Sequence, residues 1–176
     1  DVCSSDLDAP IQVQLKTLMD YPAESAGAIM TTEVITVHAE MTMQQAIQHI
    51  RLHAAESETL YLIYVTDASC YLRGVISLRQ IIQSPPEQSI GQVMTSHVIT
   101  GLVSEDQESI AQKLAHYDFM ALPIVDEQQR LLGIVTYDDA MDVVQQETTE
   151  DILKSSAVAA SPQMSIKTAP ILLLYK

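Results

Sequence analysis

The chain has 176 residues, of which 47% are hydrophobic, enough for one packed domain or two small domains in tandem. Its formal net charge of −14 argues against nucleic acid or an anionic membrane surface as a partner, because both need a basic patch. The charge favours cations or basic partners. Two cysteines are too few for a disulfide framework, and no stretch approaches the roughly 18 apolar residues of a membrane span.

The acidic residues are concentrated in the second half of the chain. Residues 104–151 contain twelve of the 23 acidic residues but only two of the nine lysines and arginines, Lys113 and Arg130. Within this region, YDDAMDVVQQETTED at 137–151 has six carboxylates and no basic residue. Like charges three or four residues apart on a helix repel one another by a few tenths of a kcal/mol per pair. The segment therefore carries a charge pattern that helix formation alone does not favour.

The sequence contains two copies of one pattern. IMTTEVITV at 29–37 returns as VMTSHVITG at 93–101, and VTDASCYLRGVISLRQII at 65–82 returns as IVDEQQRLLGIVTYDDAM at 124–141. The offset is 64 residues for the first pair of segments and 59 for the second. Matches in this order indicate an internal repeat, with about five extra residues inside the first copy.

In chain order, a helix over 13–19 and a short element at ESAGAIM precede the first copy. Each copy then predicts a short strand, a helix, two strands that form a hairpin, and a second helix. Hydroxyl residues are predicted to cap the helices: Thr42 and Ser104 in front of the first helix of each copy, Ser77 and Thr136 in front of the second. Neither unit can bury its apolar faces alone, so we expect the two to pack sheet against sheet.

Apolar side chains remain on the last helix of each copy after this pairing. Ile81 in the first copy and Met141 and Val144 in the second form stripes at helical spacing. These stripes predict a further dimerisation of the paired units.

The repeated methionine–threonine segment and the strand–glycine–strand hairpin with its helix resemble the cystathionine-β-synthase (CBS) domain pair. The stretches YPAESAGAIMTTEVITV, SETLYLIYV, YDFMALPIVD, LLGIVTYDDAMDVV and ETTEDI are more specifically similar to the cytosolic CBS region of the MgtE family of magnesium channels and transporters. The similarity covers roughly residues 11–176. It implies an α+β fold, a tandem CBS domain pair preceded by a short helix.

The resemblance also suggests how the chain is divided. We expect a non-native leader at 1–10, the end of a preceding helical domain or linker at 11–28, a first CBS motif at 29–84, a linker at 85–92, a second CBS motif at 93–147, and a segment leading to a missing transmembrane domain at 148–176.

In the MgtE family, the CBS pair forms a homodimer below the pore, on the cytoplasmic face of the membrane, and senses magnesium. The rest of the protein would supply a helical N-terminal domain and the pore. By resemblance, the acids that bind Mg²⁺ fall on seven positions that all carry a carboxylate here: Asp106, Glu108, Asp139, Asp142, Glu147, Glu150 and Asp151.

Helix capping offers a structural explanation for some of these acids. With Thr136 as N-cap, Asp139 falls at the third helical position, where a carboxylate can help to cap and the helix dipole favours negative charge. A new helix further along would give Asp151 the same role. Capping does not explain Asp142 or Glu147, so these two residues carry the magnesium interpretation.

An adenine nucleotide is the alternative ligand, because CBS pairs are also known as adenine-nucleotide sites. The family pattern [ST]-x-x-[DN] is met by TYDD at 136–139, whereas SLRQ at 77–80 has Gln80 in place of the acid. Gln80 fits an S-x-x-Q capping box equally well. By resemblance to relatives that bind ATP, Arg79 and Phe119 would contribute to such a site, although Phe119 also suits ordinary core packing.

Other chemistry is less well supported. His49 and His53 are four residues apart on a predicted helix, a spacing that could hold a transition metal, but no third ligand is evident nearby in the sequence. No glycine-rich phosphate loop or catalytic triad is recognisable, so we do not expect an enzyme.

Overall fold

Two three-stranded sheets organise the protein, and a computed structural model describes residues 21–145. The first part of the chain contains α1 (Ala26–Ile29), β1 (Thr36–Val37), α2 (Met43–His53), β2 (Leu62–Thr66), β3 (Leu72–Ser77) and α3 (Leu78–Gln83). The second contains β4 (Gly101–Leu102), α4 (Gln107–Tyr117), β5 (Ala121–Val125), β6 (Leu131–Thr136) and α5 (residues 137–145). This is the predicted β-α-β-β-α unit, twice; the helix predicted over 13–19 lies outside the described residues.

The two sheets have the same topology. Their strand orders are β1-β2-β3 and β4-β5-β6, with the first pair of strands parallel and the second antiparallel. A parallel pair needs a crossover connection, which α2 and α4 provide. Each hairpin turn is closed by an aspartate: Asp67 accepts a hydrogen bond from the Ser69 N–H, and Asp126 from the Gln128 N–H, both at 2.9 Å. Aspartate is favoured in turns for this reason.

Three of the four predicted helix caps are confirmed. Thr42 caps α2, and Ser77 caps α3 in a capping box, in which the Gln80 N–H donates to the Ser77 hydroxyl and the Gln80 side chain accepts from the Ser77 N–H. Thr136 precedes α5, and its hydroxyl donates to the Asp139 carboxylate. Gln80 therefore has a structural role that needs no ligand.

The predicted cap at Ser104 is wrong. Helix α4 begins two residues later, with Asp106 as its N-cap, and the Asp106 carboxylate accepts from the N–H groups of Glu108 and Ser109 at 2.9 and 3.4 Å. Aspartate is as good a cap as serine. The register of the repeat distinguishes the two candidates, because Asp106, and not Ser104, corresponds to the N-cap Thr42 at the offset of 64.

The methionine–threonine segment at the start of each copy joins the sheet of the other copy. Thr31 pairs with Ile134 at the edge of the second sheet, and Thr95 pairs with Val75 at the edge of the first. Each pair exchanges two backbone hydrogen bonds of 2.8 and 2.9 Å. The repeated methionine–threonine motif is thus an edge segment that is exchanged between the copies, a feature that no local sequence pattern indicates.

Two glycines make room for these exchanged segments. A Cβ atom on Gly74 would lie 2.8 Å from the Thr95 carbonyl oxygen, and one on Gly133 would lie closer still to the Thr31 carbonyl oxygen. Real Cβ atoms do not approach a backbone oxygen so closely. Close approach of another backbone is a common reason for glycine inside a strand, and it explains why both hairpins carry one at the same place.

The exchange also connects the cores. Ile90, which follows the first copy in the chain, is buried with Val37, Met43 and Ile63 of the first copy. Met30, at the start of the first copy, is buried with residues of the second copy. Each helical turn in front of a methionine–threonine segment therefore packs into the opposite unit.

A third buried cluster lies between the sheets. Tyr64 of the first sheet is buried with Ala121, Leu131 and Ile134 of the second. The two hairpin ends also hydrogen-bond to each other, with the Leu72 N–H donating to the Gln129 carbonyl at 3.0 Å. The expected packing of sheet against sheet is confirmed.

The apolar stripe assigned to Ile81 needs correction. Ile81 is 0% exposed and belongs to the first core, whereas its neighbour Ile82 is 66% exposed. In the short helix α3, the side that faces the sheet carries Ile81 and the outer side carries Ile82.

Candidate functional site

Two of the predicted magnesium ligands lie at the start of α4. Asp106 is the N-cap of this helix and Glu108 lies in its first turn. Both side chains are exposed. Negative charge at a helix N-terminus is favoured by the helix dipole, so the fold tolerates both carboxylates here.

Two further predicted ligands lie on α5. Asp139 accepts the hydrogen bond of the Thr136 hydroxyl, as the capping interpretation expected. Asp142 is three residues further along and therefore lies on the same side of the helix. Both are exposed, and within residues 21–145 Asp142 has neither a hydrogen bond nor an ion pair to compensate its charge.

The remaining predicted ligands, Glu147, Glu150 and Asp151, lie outside the described residues. Across residues 21–145, no group of three or more histidine, cysteine or carboxylate side chains is placed to hold a metal ion. The predicted ligands within the described residues are therefore two pairs: Asp106 and Glu108 at the start of α4, and Asp139 and Asp142 on α5. Mg²⁺ usually keeps several waters and contacts one or two carboxylates, so exposed pairs of this kind suit a hydrated magnesium ion.

The two basic residues of the acidic region are occupied by other acids. Lys113 forms an ion pair with Glu105 at 2.7 Å, and its Nζ also donates to the Thr100 carbonyl at 3.3 Å. Arg130 forms an ion pair with Asp126 at 2.8 Å. Neither base neutralises a predicted magnesium ligand.

Glu105 is a charged residue that the sequence analysis missed. Burial raises its pKa, but hydrogen bonds from Lys113, Ser109 and the Leu102 N–H outweigh that effect and hold the pKa below its ordinary value. Glu105 therefore stays ionised and keeps Lys113 beside α4. The signal in the sequence is the spacing of four residues between Glu105, Ser109 and Lys113, which brings Glu105, just before the N-cap of α4, onto the side of the helix that carries Ser109 and Lys113.

Arg79, the first residue predicted for a nucleotide, lines an open cavity. It is exposed on the first turn of α3, and the cavity of about 880 Å³ beside it is also lined by Glu58, Tyr61, Ser77 and Ile82. An arginine at the mouth of an otherwise mainly apolar cavity can bind an anionic group such as phosphate.

Phe119, the second predicted nucleotide residue, does not line this cavity. It is half-buried against the second core, and its ring stacks on Tyr117 with 5.4 Å between the centroids. The structure therefore places Arg79 and Phe119 in different surroundings, and core packing accounts for much of the Phe119 environment.

Large apolar side chains are exposed at two places related by the repeat. Tyr61 and Ile82 are 70% and 66% exposed and line the same cavity in the first copy. In the second copy Met120 is 64% exposed, and its carbonyl accepts the N–H of Tyr137, which is 42% exposed. Val144 is also exposed, as its stripe predicted. We call this set the apolar surface.

The repeated unit, its sheets and its exchanged segments define a CBS domain pair. The CBS domain family matches residues 26–87 and 90–146, and the chain belongs to that family. Within the described part of the chain, no helix is both long enough and apolar enough to span a membrane.

The relatives that are 37–41% identical to the chain are magnesium transporters and not enzymes. The chain is 38% identical to the magnesium transporter MgtE of Thermus thermophilus over 167 residues, which cover 95% of this chain and 37% of the relative. It is 41% identical to MgtE of Enterococcus faecalis over 138 residues, which cover 78% and 30%. The resemblance found in the motifs is confirmed, and the chain spans about a third of the length of these curated relatives.

Solved structures of magnesium transporter domains also match the chain. The chain matches the cytosolic domain of the Mg²⁺ channel MgtE in complex with ATP with a TM-score of 0.73 and 39% identity, covering 75% of this chain and 53% of the other. It matches the soluble part of a magnesium transporter with a TM-score of 0.74 and 42% identity, covering 76% and 52%. The expected α+β CBS-pair fold is therefore confirmed.

Proposed function

We propose that this chain is the Mg²⁺-sensing regulatory region of a magnesium channel or transporter, at the cytoplasmic face of a membrane. Residues 148–176 would lead to a transmembrane domain, and a helical domain would precede residue 29. The motif boundaries proposed from the sequence belong to the same hypothesis. Transport itself would be carried out by parts of the protein beyond the CBS pair.

The uncompensated charge of the second copy carries this proposal. Asp106, Glu108, Asp139 and Asp142 are exposed, and the only lysine and arginine of the region are engaged by Glu105 and Asp126. Carboxylate oxygens are the ligands that Mg²⁺ prefers. We propose that these four residues, with Glu147, Glu150 and Asp151, hold Mg²⁺ directly or through water.

Regulation would follow from a difference in repulsion between two states. In a compact arrangement the acidic faces approach one another or those of a second subunit, which costs electrostatic free energy. Bound cation lowers that cost, so occupancy of the sites shifts the population toward the compact arrangement. The shift is limited by the difference in affinity between the two states. High Mg²⁺ would therefore favour a closed pore, and low Mg²⁺ its release.

The apolar surface supports a homodimer as the unit that compacts. Tyr61, Ile82, Met120 and Tyr137 are large and exposed, and Tyr61 and Met120 occupy equivalent positions in the two copies. Exposed apolar residues grouped in this way are typical of protein–protein contacts. We propose that a second copy of the chain covers them.

A Mg²⁺ titration tests the proposal. Millimolar Mg²⁺ is expected to raise the melting temperature and reduce the hydrodynamic radius, measured by thermal shift and by light scattering. The double variant Asp142→Asn/Glu147→Gln should lose most of this response. As a control with the same change in charge, Glu87→Gln/Glu127→Gln alters two acids outside the site and should respond like the parent. Equal responses of the two double variants would remove the assigned site.

ATP is the second candidate ligand, because a structure that this chain resembles is a complex with ATP. Arg79 at the open cavity is the residue best placed to bind its phosphates. If ATP binds there, Arg79→Ala should weaken an ATP-dependent thermal shift by at least about tenfold in apparent affinity. Arg51→Ala, which removes another exposed arginine, should not. No ATP-dependent shift in the parent chain would eliminate this candidate.

A further inference from the structure

Two histidines lie next to each other in the C-terminal half of α2. His49 and His53 are one helical turn apart, both are half-buried, and their ring centroids are 4.4 Å apart with 38° between the planes. Neither belongs to the acidic region or lines the cavity beside Arg79. The pair is therefore separate from the sites described above.

A backbone carbonyl orients the His53 ring. Nδ1 of His53 lies 2.9 Å from the His49 carbonyl oxygen. A carbonyl can only accept, so Nδ1 carries the proton and Nε2 of His53 keeps its lone pair. Histidines that bind metals are commonly held in this way, one nitrogen on a backbone carbonyl and the other on the metal.

A third imidazole, that of His38, lies near His49. Burial and then the neighbouring charge of His53 lower the pKa of His49 below its ordinary value, and His38 has the same effect. His38 follows β1, and its Nδ1 lies 2.9 Å from the Thr66 carbonyl oxygen. The three imidazoles thus share one region of the first copy.

We propose that His49 and His53 form a binding site for a divalent transition metal such as Ni²⁺, Cu²⁺ or Zn²⁺, with water completing the coordination. Metal–nitrogen distances of about 2.1 Å and a tetrahedral angle would place the two ring centroids about 5 Å apart. The observed separation of 4.4 Å is close to this value. Imidazole selects these metals over Mg²⁺, which prefers oxygen.

The second copy does not repeat the site. At the offset of 64, the positions of His49 and His53 are taken by Lys113 and Tyr117, and Lys113 is bound to Glu105. Within residues 21–145 no set of three metal-binding side chains is assembled. The site is therefore a two-histidine site confined to the first copy.

Ni²⁺ titration of the whole chain in excess Mg²⁺ tests the proposal. The Mg²⁺ saturates carboxylate sites, so Ni²⁺ binding that persists reports imidazole ligands. By calorimetry, His49→Ala and His53→Gln should each lower the Ni²⁺ affinity by at least about tenfold. His97→Ala and His116→Ala, which remove histidines elsewhere, should leave it unchanged. Unaltered affinity in both of the first two variants would overturn the proposal.

A measurement on the parent chain avoids any dependence on the folding of variants. Substoichiometric Ni²⁺ or Cu²⁺ should broaden the imidazole NMR signals of His49 and His53 before those of His97 and His116. Equal broadening of all histidines, or displacement of the metal by Mg²⁺, would refute a specific site.

Discussion

The two copies fold alike but start their helices with different chemistry. In the first copy α2 and α3 are capped by Thr42 and Ser77, each with a glutamine that completes a capping box. Neither helix has an acidic residue in its first turn. Neutral side chains are therefore sufficient to begin both helices of this unit.

The second copy uses carboxylates at the same places. Asp106 caps α4 and Glu108 follows in its first turn, while Asp139 accepts the hydroxyl of Thr136 at the start of α5. The first copy shows that the caps need no charge, and capping accounts for Asp106 and Asp139 but not for the exposed Asp142. The difference supports a ligand-binding use for the charge, and it can be tested by exchanging features between the copies.

The largest expected effect concerns the buried position shared by Ile81 and Ala140, both 0% exposed. Ile81→Ala gives the first copy the residue of the second, and the cavity should cost about 2–5 kcal/mol in the free energy of unfolding. Urea denaturation measures this. Ile82→Ala, on the exposed side of the same helix, should change the unfolding free energy of dilute protein by less than about 0.5 kcal/mol. A small loss for Ile81→Ala would mean that the first core relaxes around the gap.

The next effect concerns the exchanged segments. Gly133→Ala should cost about 1–3 kcal/mol, because the new methyl group meets the Thr31 carbonyl. Gly74→Ala should cost less, since its nearest contact, the Thr95 oxygen at 2.8 Å, is longer. Gly91→Ala, with its nearest atom at 3.2 Å, serves as the mild control. If all three variants unfold at the same urea concentration, the edge segments do not constrain these glycines.

A substitution of Tyr64 is expected to raise the free energy of unfolding, whereas the preceding substitutions lower it. Its hydroxyl is buried between the sheets without a hydrogen-bond partner among the described residues, and burial raises its pKa well above the ordinary value. The corresponding position of the second copy is Pro123, which has no such group. Tyr64→Phe should therefore raise the unfolding free energy by about 1 kcal/mol. Tyr61→Phe, at an exposed tyrosine, should not. A loss of stability in Tyr64→Phe would indicate a bound water.

The smallest effect is the pH dependence that His49 gives to the first copy. The pKa of His49 is lowered by folding, so between that pKa and about 6.5 the unfolded chain binds more protons than the folded chain. Stability should rise with pH across this window and fall on acidification. The contribution is small because the ring is partly exposed to solvent. Unfolding measured from pH 5 to 7 should show a shallower slope for His49→Gln than for His97→Gln; equal slopes would contradict it.

Much of the fold could be predicted from the sequence because its repeat is regular. The periodic apolar strands, the hydroxyl caps and the hairpin aspartates are local signals, and the caps at Thr42, Ser77 and Thr136 were correct. The cap of α4 was not, since Ser104 and Asp106 are both good caps and only the register of the repeat separates them.

The long-range features could not be read from local patterns. Nothing near Thr31 or Thr95 in the sequence indicates that each segment pairs with the opposite sheet. The side of α3 that carries Ile81 was misjudged because a six-residue helix has too few turns to define a face. The acidic residues proposed to bind Mg²⁺ were predicted from the sequence and the family resemblance. Only the structure shows that Lys113 and Arg130 pair with other acids, Glu105 and Asp126, and so do not neutralise them.

The exchanged edge segments have a consequence for how the protein folds. A single copy would present an open sheet edge, and its own methionine–threonine segment would have no partner. The pair, rather than the copy, should therefore unfold in one cooperative transition, without a state in which one half is native. A chain cut between Pro85 and Pro86 would give two fragments that each carry the edge of the other's sheet. Such fragments are complementary parts and not two independent domains.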